Sequence, residues 1–206
     1  MAQSQTKAKF IAFEGLDGSG QSTQANLLKR FLESQGETAL LTKEPTFDSE
    51  AGKIIRKVLD KQETRTPQEF QELFAQDRKA HVNSVILPAL EKGIWVITDR
   101  YFFSSMAYGA AAGVDLEWII QRNNEFLLPD ITFLLNTPPA VCIERIQKRG
   151  ELQTLFERIE RLKKVWSIYE SLPNRFHNII TIQGDQPIET AAKDIREALV
   201  SQLNLR

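Results

Sequence analysis

Cysteine and histidine are nearly absent from this 206-residue chain, which has one Cys and two His. A lone Cys142 excludes an internal disulfide framework and a cysteine metal cluster, and His81 and His177 are not at zinc-ligand spacing. A surplus of either charge is missing too: 26 Lys and Arg stand against 27 Asp and Glu, a formal net charge of −1. That balance argues against a general nucleic-acid binder, whose affinity rests on excess positive charge. Apolar runs are short, none approaching the ~18 residues that cross a bilayer, so no membrane partner is expected. Residues 1–9 are polar, without the apolar stretch of a secretory leader, and a cytoplasmic location is expected. Repeats, low-complexity tracts and linkers are lacking, and 23.5 kDa fits one domain, at most with a small lid.

What is present is an alternation of short continuous apolar runs with longer stretches of helical periodicity. Residues 10–13, 38–41, 94–97, 131–135 and 178–182 read as five strands. Helical spacing fills the intervals. One helix covers residues 23–32 and closes at Gly36. A second covers 51–59, with Ile54, Ile55, Val58 and Leu59 inward. Thr66-Pro67-Gln68-Glu69 starts a third, expected to run towards Leu90 with a bend or break near Pro88. Further helices are expected around residues 105–112 and 116–126, from Pro139, over 155–172, and from Pro187 with Ile188, Ala191, Ile195, Leu199 and Leu203 on one stripe. Continuous strands separated by helices predict an α/β fold, a five-stranded parallel sheet covered on both faces.

Gly15-Leu16-Asp17-Gly18-Ser19-Gly20-Gln21-Ser22-Thr23 follows the first strand and runs straight into a helix. The phosphate-loop pattern asks for Gly, four residues, Gly, Lys, then Ser or Thr in that context. Glycines let successive amides converge on phosphate oxygens, and the helix adds its positive N-terminal end. Gly15, Gly18, Ser19, Gly20, Gln21, Ser22 and Thr23 are therefore candidate ATP contacts, with the Ser22 hydroxyl a candidate Mg²⁺ ligand. The pattern departs at Gln21, where lysine belongs. An amide donates without charge, and a charge-assisted hydrogen bond contributes about 1.5–3 kcal/mol against about 1 for a neutral one. The competing reading is a glycine-rich turn with no ligand.

Other residues carry two readings each. Arg100 follows directly on a buried strand, at the edge where open α/β sheets bind ligands, and its planar fork suits a phosphate; it also reads as an ion pair with its neighbour Asp99. Phe74 and Arg78, four apart, share one helix face and can address one ligand, or else Phe74 is core and Arg78 a solvated charge. Asp17 is either a site carboxylate or a turn-forming aspartate. Arg145, Lys148 and Arg149 lie near a helix C-terminus, where the dipole alone favours cations.

With Phe13-Glu14 before the glycine turn, the chain resembles the thymidylate (dTMP) kinases, a family of P-loop nucleoside monophosphate kinases. Thr42-Lys43-Glu44-Pro45, Leu73-Phe74-Ala75-Gln76-Asp77-Arg78, Asp99-Arg100-Tyr101, Pro129-Asp130-Ile131-Thr132, residues 145–150 and Gly184-Asp185-Gln186-Pro187-Ile188-Glu189 match the family's segments in order over nearly the whole length. The resemblance implies a P-loop NTP hydrolase-like fold in a single domain over 1–206, with a lid over about 145–157. It implies Mg²⁺-dependent transfer of the ATP γ-phosphoryl group to dTMP, giving dTDP and ADP, by a homodimer. Among the residues it makes catalytic, Asp17 faces the sugar 3′-hydroxyl, Arg100 grips the dTMP phosphate, and Asp99 acts near the metal and its waters, beside Gln21. Phe74 stacks on thymine and Arg78 donates to its O4. Lys43 replaces the usual arginine as a phosphate contact, Glu44-Pro45 shapes the site through a cis peptide, and Ser104, Ser105 and Tyr108 line the nucleoside pocket. Gly18 stands where another subtype carries arginine, so a lid cation, Arg149 or secondarily Arg145, is expected to reach the ATP phosphates. Gln21, Gly109 where many members carry glutamine, Asn136 for aspartate, and the lack of a further lid arginine mark a divergent member. Two other functions stay open: a kinase for another nucleoside monophosphate, and a nucleotide-binding protein with weak or no kinase activity because of Gln21.

Overall fold

A computed structural model describes residues 8–148 and 155–203. Strands β1 (Phe10–Gly15), β2 (Ala39–Lys43), β3 (Trp95–Asp99), β4 (Ile131–Asn136) and β5 (Ile179–Gln183) form a parallel sheet in the order β2-β3-β1-β4-β5. The strands lack alternation because both faces are covered. In β1, Ile11 and Phe13 face one layer and Phe10 and Ala12 the other, none more than 1% exposed. One layer is α1 (Gln21–Ser34) with α9 (Ile188–Leu203), which bury Leu28, Leu32, Ile195 and Leu199 there. The other comprises α3 (Pro67–His81), α4 (Leu87–Glu91), α5 (Phe102–Ala111), α6 (Leu116–Asn123), α7 (Pro139–Gln147) and α8 (Leu155–Ser171), and α2 (Glu50–Leu59) packs on α3. Full burial of each large apolar side chain contributes roughly 1.5–3 kcal/mol.

Local chemistry sets the helix ends. Thr66 and Glu69 cap α3 reciprocally: the Glu69 amide donates to Thr66 Oγ1 at 3.3 Å and the Thr66 amide to Glu69 Oε2 at 2.8 Å. After α1, Gly36 takes a left-handed φ of 86°, and the Gly36 and Glu37 amides close on the carbonyls of Glu33 and Leu32, both at 3.1 Å. The long helix runs on to Glu91 with its irregularity just before Pro88: a π-helical turn over Val82–Ile86 precedes α4, widening the helix where proline removes a donor. Two expectations need correction. The buried stripe of α2 is Ala51, Gly52 and Ile55; Leu59, its last residue, has run past that contact and is 52% exposed. Ile188, the first residue of α9, is 57% exposed at the rim of a pocket rather than on the buried stripe.

The strand order also makes the crevice. From β1 the chain leaves through α1 on one face towards β2; from β3 it leaves through α5 and α6 on the other face towards β4. The segments after these two adjacent strands diverge at their carboxyl ends, the place where open sheets accept ligands.

Candidate active site at the carboxyl edge of the sheet

The turn after β1 presents backbone donors. Gly20 is the N-cap of α1 at φ 106°, and among the described residues no side chain caps the helix, so its first-turn amides are open to an acceptor. Among the described residues, Ser19 Oγ is buried with no hydrogen-bond partner. Gly18 is held by space as well as by its φ of 87°: a β-carbon there would lie 2.5 Å from the Cys142 carbonyl oxygen. An arginine at this position does not fit without moving α7.

Arg100 ties this turn to β3. Its amide donates to the Phe13 carbonyl at 2.9 Å, and its own φ of 75° turns the chain off the strand. From there Nη1 donates to the Gly15 carbonyl at 3.0 Å and Ser104 Oγ at 2.9 Å, while Nη2 reaches Asp17 Oδ1 at 2.8 Å and Gln21 Oε1 at 3.0 Å. Gln21 in turn donates from Nε2 to the Gly15 carbonyl at 3.0 Å. Burial works against the guanidinium charge, but Tyr108, Asp17, Tyr169 and Glu14 together outweigh it and hold the Arg100 pKa above the usual arginine value. The ring of Tyr108 lies under the guanidinium, 5.4 Å from centroid to Cζ, and its hydroxyl accepts the Asp17 amide at 3.1 Å.

Asp99, the last residue of β3, accepts from Ser22 Oγ at 2.5 Å and pairs with Lys43 Nζ at 3.3 Å, both at Oδ2. Its backbone carbonyl accepts the Glu44 amide at 3.1 Å, and the Glu44–Pro45 peptide is cis. Glu44 is buried against α3, where Arg78 Nε donates to Oε2 at 2.8 Å and His81 Nδ1 lies 3.0 Å from Oε1. Arg78 also donates to Asn123 Oδ1 at 2.5 Å and Ser105 Oγ at 3.1 Å. At 2% exposure it is not a solvated charge, which removes one reading of that residue. Phe74 is half-buried with its ring 4.7 Å from that of Phe70.

On the other side of the glycine turn a pocket opens between Gly18, Gly20, Thr23, Gln24, Leu135, Gly184, Gln186 and Ile188. Arg145 lines it, its Nη1 and Nη2 each 3.1 Å from the Gly184 carbonyl and Nη1 3.2 Å from that of Ser19. Gly184 fits because a β-carbon there would strike Thr137 Oγ1 at 2.1 Å. Of the expected lid, residues 145–147 end α7, Lys148 is its C-cap and 155–157 belong to α8; residues 149–154, Arg149 among them, lie outside the described residues.

A family model described as thymidylate kinase matches residues 13–195, a span that takes in the glycine turn, Arg100 and the pocket of Arg145. The chain belongs to the thymidylate kinase family. It is 42% identical over 191 residues to a probable thymidylate kinase of Pyrococcus horikoshii, covering 90% of this chain and 93% of the relative. It is 36% identical over 197 residues to a probable thymidylate kinase of Archaeoglobus fulgidus, covering 95% and 97%. A thymidylate kinase of Desulfotalea psychrophila is 40% identical over 193 residues, covering 93% and 94%.

Against the thymidylate kinase pattern, several site residues carried no separate signal. Glu14, the only charged residue of β1, is fully buried. It accepts the amides of Tyr101 and Ser104 at 2.9 and 3.1 Å, Ser104 Oγ at 2.6 Å and Tyr169 Oη at 2.9 Å. Burial raises its pKa, opposed by the Arg100 charge and these donors. An acidic residue closing an otherwise apolar strand was the one clue. Tyr169, on α8, reaches Glu14 only through the tertiary fold. Asp77 accepts from the Thr46 amide and hydroxyl and from Ser49 Oγ at 2.6–2.8 Å, pinning the segment after the cis peptide; its helical position did not distinguish it.

Proposed function

We propose that this chain is a dTMP kinase, transferring the γ-phosphoryl group of ATP to dTMP and releasing dTDP and ADP. One observation carries the reading: the Arg100 guanidinium lies within hydrogen-bond distance of both the glycine turn and Asp17. A donor phosphate on the turn's amides and an acceptor phosphate on Arg100 then meet at one rim of the sheet. Phosphoryl transfer asks the protein mainly for alignment and neutralised charge.

In this reading the uncapped first turn of α1, with Ser19, Gly20, Ser22 and Thr23, holds the ATP phosphates. The donor base occupies the pocket of Arg145, Gly184 and Ile188. Arg145 is committed there to carbonyl oxygens, which leaves Arg149 as the cation for the transferring group. On the acceptor side Arg100 and Lys43 hold the dTMP phosphate, Asp17 accepts from the sugar hydroxyl, and Ser104 and Tyr108 back the sugar. Phe74 covers the base; Arg78, braced by Glu44 and Ser105, donates to it. Glu44 stands behind Arg78, paired with its Nε at 2.8 Å.

Ser22 Oγ and Asp99 Oδ2 are hard oxygen donors already adjacent, at 2.5 Å. They fit Mg²⁺, which takes one or two such groups and completes its shell with water and phosphate oxygens. Bound there, it would neutralise charge on the ATP phosphates. A homodimer and a cytoplasmic location belong to the same proposal.

An ADP-release assay with dTMP, dUMP and dCMP tests it: turnover should be fastest with dTMP. A better rate with another monophosphate supports a different acceptor, the reading that Gly109 keeps open. Nucleotide binding without turnover supports the binding-protein reading, which the uncharged Gln21 beside Arg100 favours.

A further inference from the structure

Gly109 on α5 is not simply an empty position. A β-carbon built there would lie 2.8 Å from Gln71 Cδ, 3.0 Å from Gln71 Nε2 and 2.8 Å from Ile119 Cδ1. The space that a side chain at 109 would enter from α5 is filled from α3 by the carboxamide of Gln71. That residue is 7% exposed, and among the described residues its Oε1 is buried with no hydrogen-bond partner. Buried amide oxygens are nearly always paired, so this one is open to a donor from a ligand or an ordered water.

The neighbours say what kind. Gln71, Phe74 and Arg78 are spaced i, i+3 and i+7 and form one stripe of α3. Ser105 and Gly109, one turn apart, form the facing stripe of α5; Arg78 donates to Ser105, and Gln71 abuts Gly109. Arg78 uses its donors on Glu44, Asn123 and Ser105, three hydrogen bonds of the five a guanidinium can make. One stripe therefore offers a pure donor, an aromatic face and an unpaired acceptor.

We propose that Gln71 reads the imide edge of the acceptor's pyrimidine, its Oε1 accepting the ring N3–H while Arg78 holds the 4-carbonyl. The inference rests on the dTMP kinase reading and names the group that selects the base within it. Arginine only donates, so it favours a carbonyl at ring position 4 over an amino group. With that end fixed, the adjacent ring N–H needs an acceptor, and Gln71 supplies it. Cytosine presents a 4-amino group, which Arg78 cannot hold, and an unprotonated N3, which has no hydrogen for Gln71 Oε1 to accept. The competing role for Gln71, a plug over Gly109, requires shape alone.

The variant Q71L keeps the shape and removes the amide. Calorimetry compares wild type and Q71L for dTMP and its N3-methyl derivative. N3-methylation is expected to weaken wild-type binding about ten- to a hundredfold. Q71L is expected to bind dTMP weaker by a similar factor, with methylation adding less than about twofold; its KM for dTMP rises while kcat stays within about threefold. Without nucleotide, Q71L is expected to melt at or above the wild-type temperature, since a buried amide oxygen with no partner among the described residues has been removed. Should Q71L fail to fold, Q71M is read in its place by the same criteria. Unchanged dTMP binding in the variant, or an undiminished methyl penalty, overturns the role of Gln71 while leaving the kinase reading intact. Wild-type protein that neither binds nor turns over dTMP overturns both.

Discussion

Replacing Gln21 by lysine restores the usual phosphate-loop residue, at a cost set by the two partners that Gln21 holds. Its Nε2 donates to the Gly15 carbonyl and its Oε1 accepts from Arg100, each at 3.0 Å. Lysine can keep the first bond but has no acceptor for the second. It also brings a positive charge to within about 4 Å of the guanidinium, where two unit charges repel by about 4 kcal/mol at an effective dielectric near 20. If the flexible ammonium relieves half of that, about 2 kcal/mol remains. At about 2–4 °C per kcal/mol for a domain of this size, Q21K without nucleotide should melt about 4–8 °C below wild type. With an ATP analogue bound, phosphate oxygens lie against the new ammonium and the gap should narrow. The gain appears in turnover: exchanging a neutral for a charge-assisted hydrogen bond is worth about 0.5–2 kcal/mol, or about 2- to 30-fold in kcat/KM for ATP. Thermal melts with and without the analogue, alongside the coupled ADP-release assay, measure both effects. A Q21K protein that melts with wild type and turns over no faster would refute the reasoning: neither the repulsion nor the missing charge would then matter.

Three further outcomes are expected. Arg100→Lys loses the fork that joins Gly15, Asp17, Gln21 and Ser104, and should lower kcat/KM for dTMP about a hundredfold, with KM for ATP within about threefold in steady-state kinetics. Glu44→Gln leaves Arg78 buried without its counter-charge and should cost about 3–5 kcal/mol in urea unfolding; adding R78M should recover part of the loss. For Glu14 the folded-state pKa lies above the ordinary value of 4.5, so the folded protein binds that proton more tightly than the unfolded chain. Wild type should therefore gain stability relative to E14Q as pH falls through the raised pKa, with the gain complete below the ordinary value. Unfolding measured from pH 8 to 4 reads this, and a difference that is flat or opposite in sign would contradict it.

Much of the fold was legible because its signals are local. Continuous apolar strands report a sheet covered on both faces, and the Thr66–Glu69 cap and Gly36 turn need only neighbouring residues. The π-helical turn over Val82–Ile86 lies just before Pro88, where a widened turn accommodates the donor that proline lacks. Where local pattern failed, the cause was distant. Leu59 has the periodicity of a buried residue, but the packed part of α2 ends before it. At the site, the glycine turn and Arg100 stood out as chemistry next to strand ends. Gln71, Glu14 and Tyr169 did not, because each acts through a partner 38, 90 or 155 positions away, as the pairs with Gly109, Ser104 and Glu14 show.

By itself the sequence determined the parallel α/β architecture, the loop of glycine amides at a helix start, and the family. These depend on the order of residues along the chain and on backbone preferences that neighbours set. Only the tertiary structure decided that Gln21 shares Arg100 with Asp17, that Arg78 is a buried ion pair rather than a surface charge, and that Gln71 fills the place left by Gly109. Hydrogen bonds and burial are set by distances between atoms on separate strands and helices, and those distances exist only once the sheet has brought the elements together.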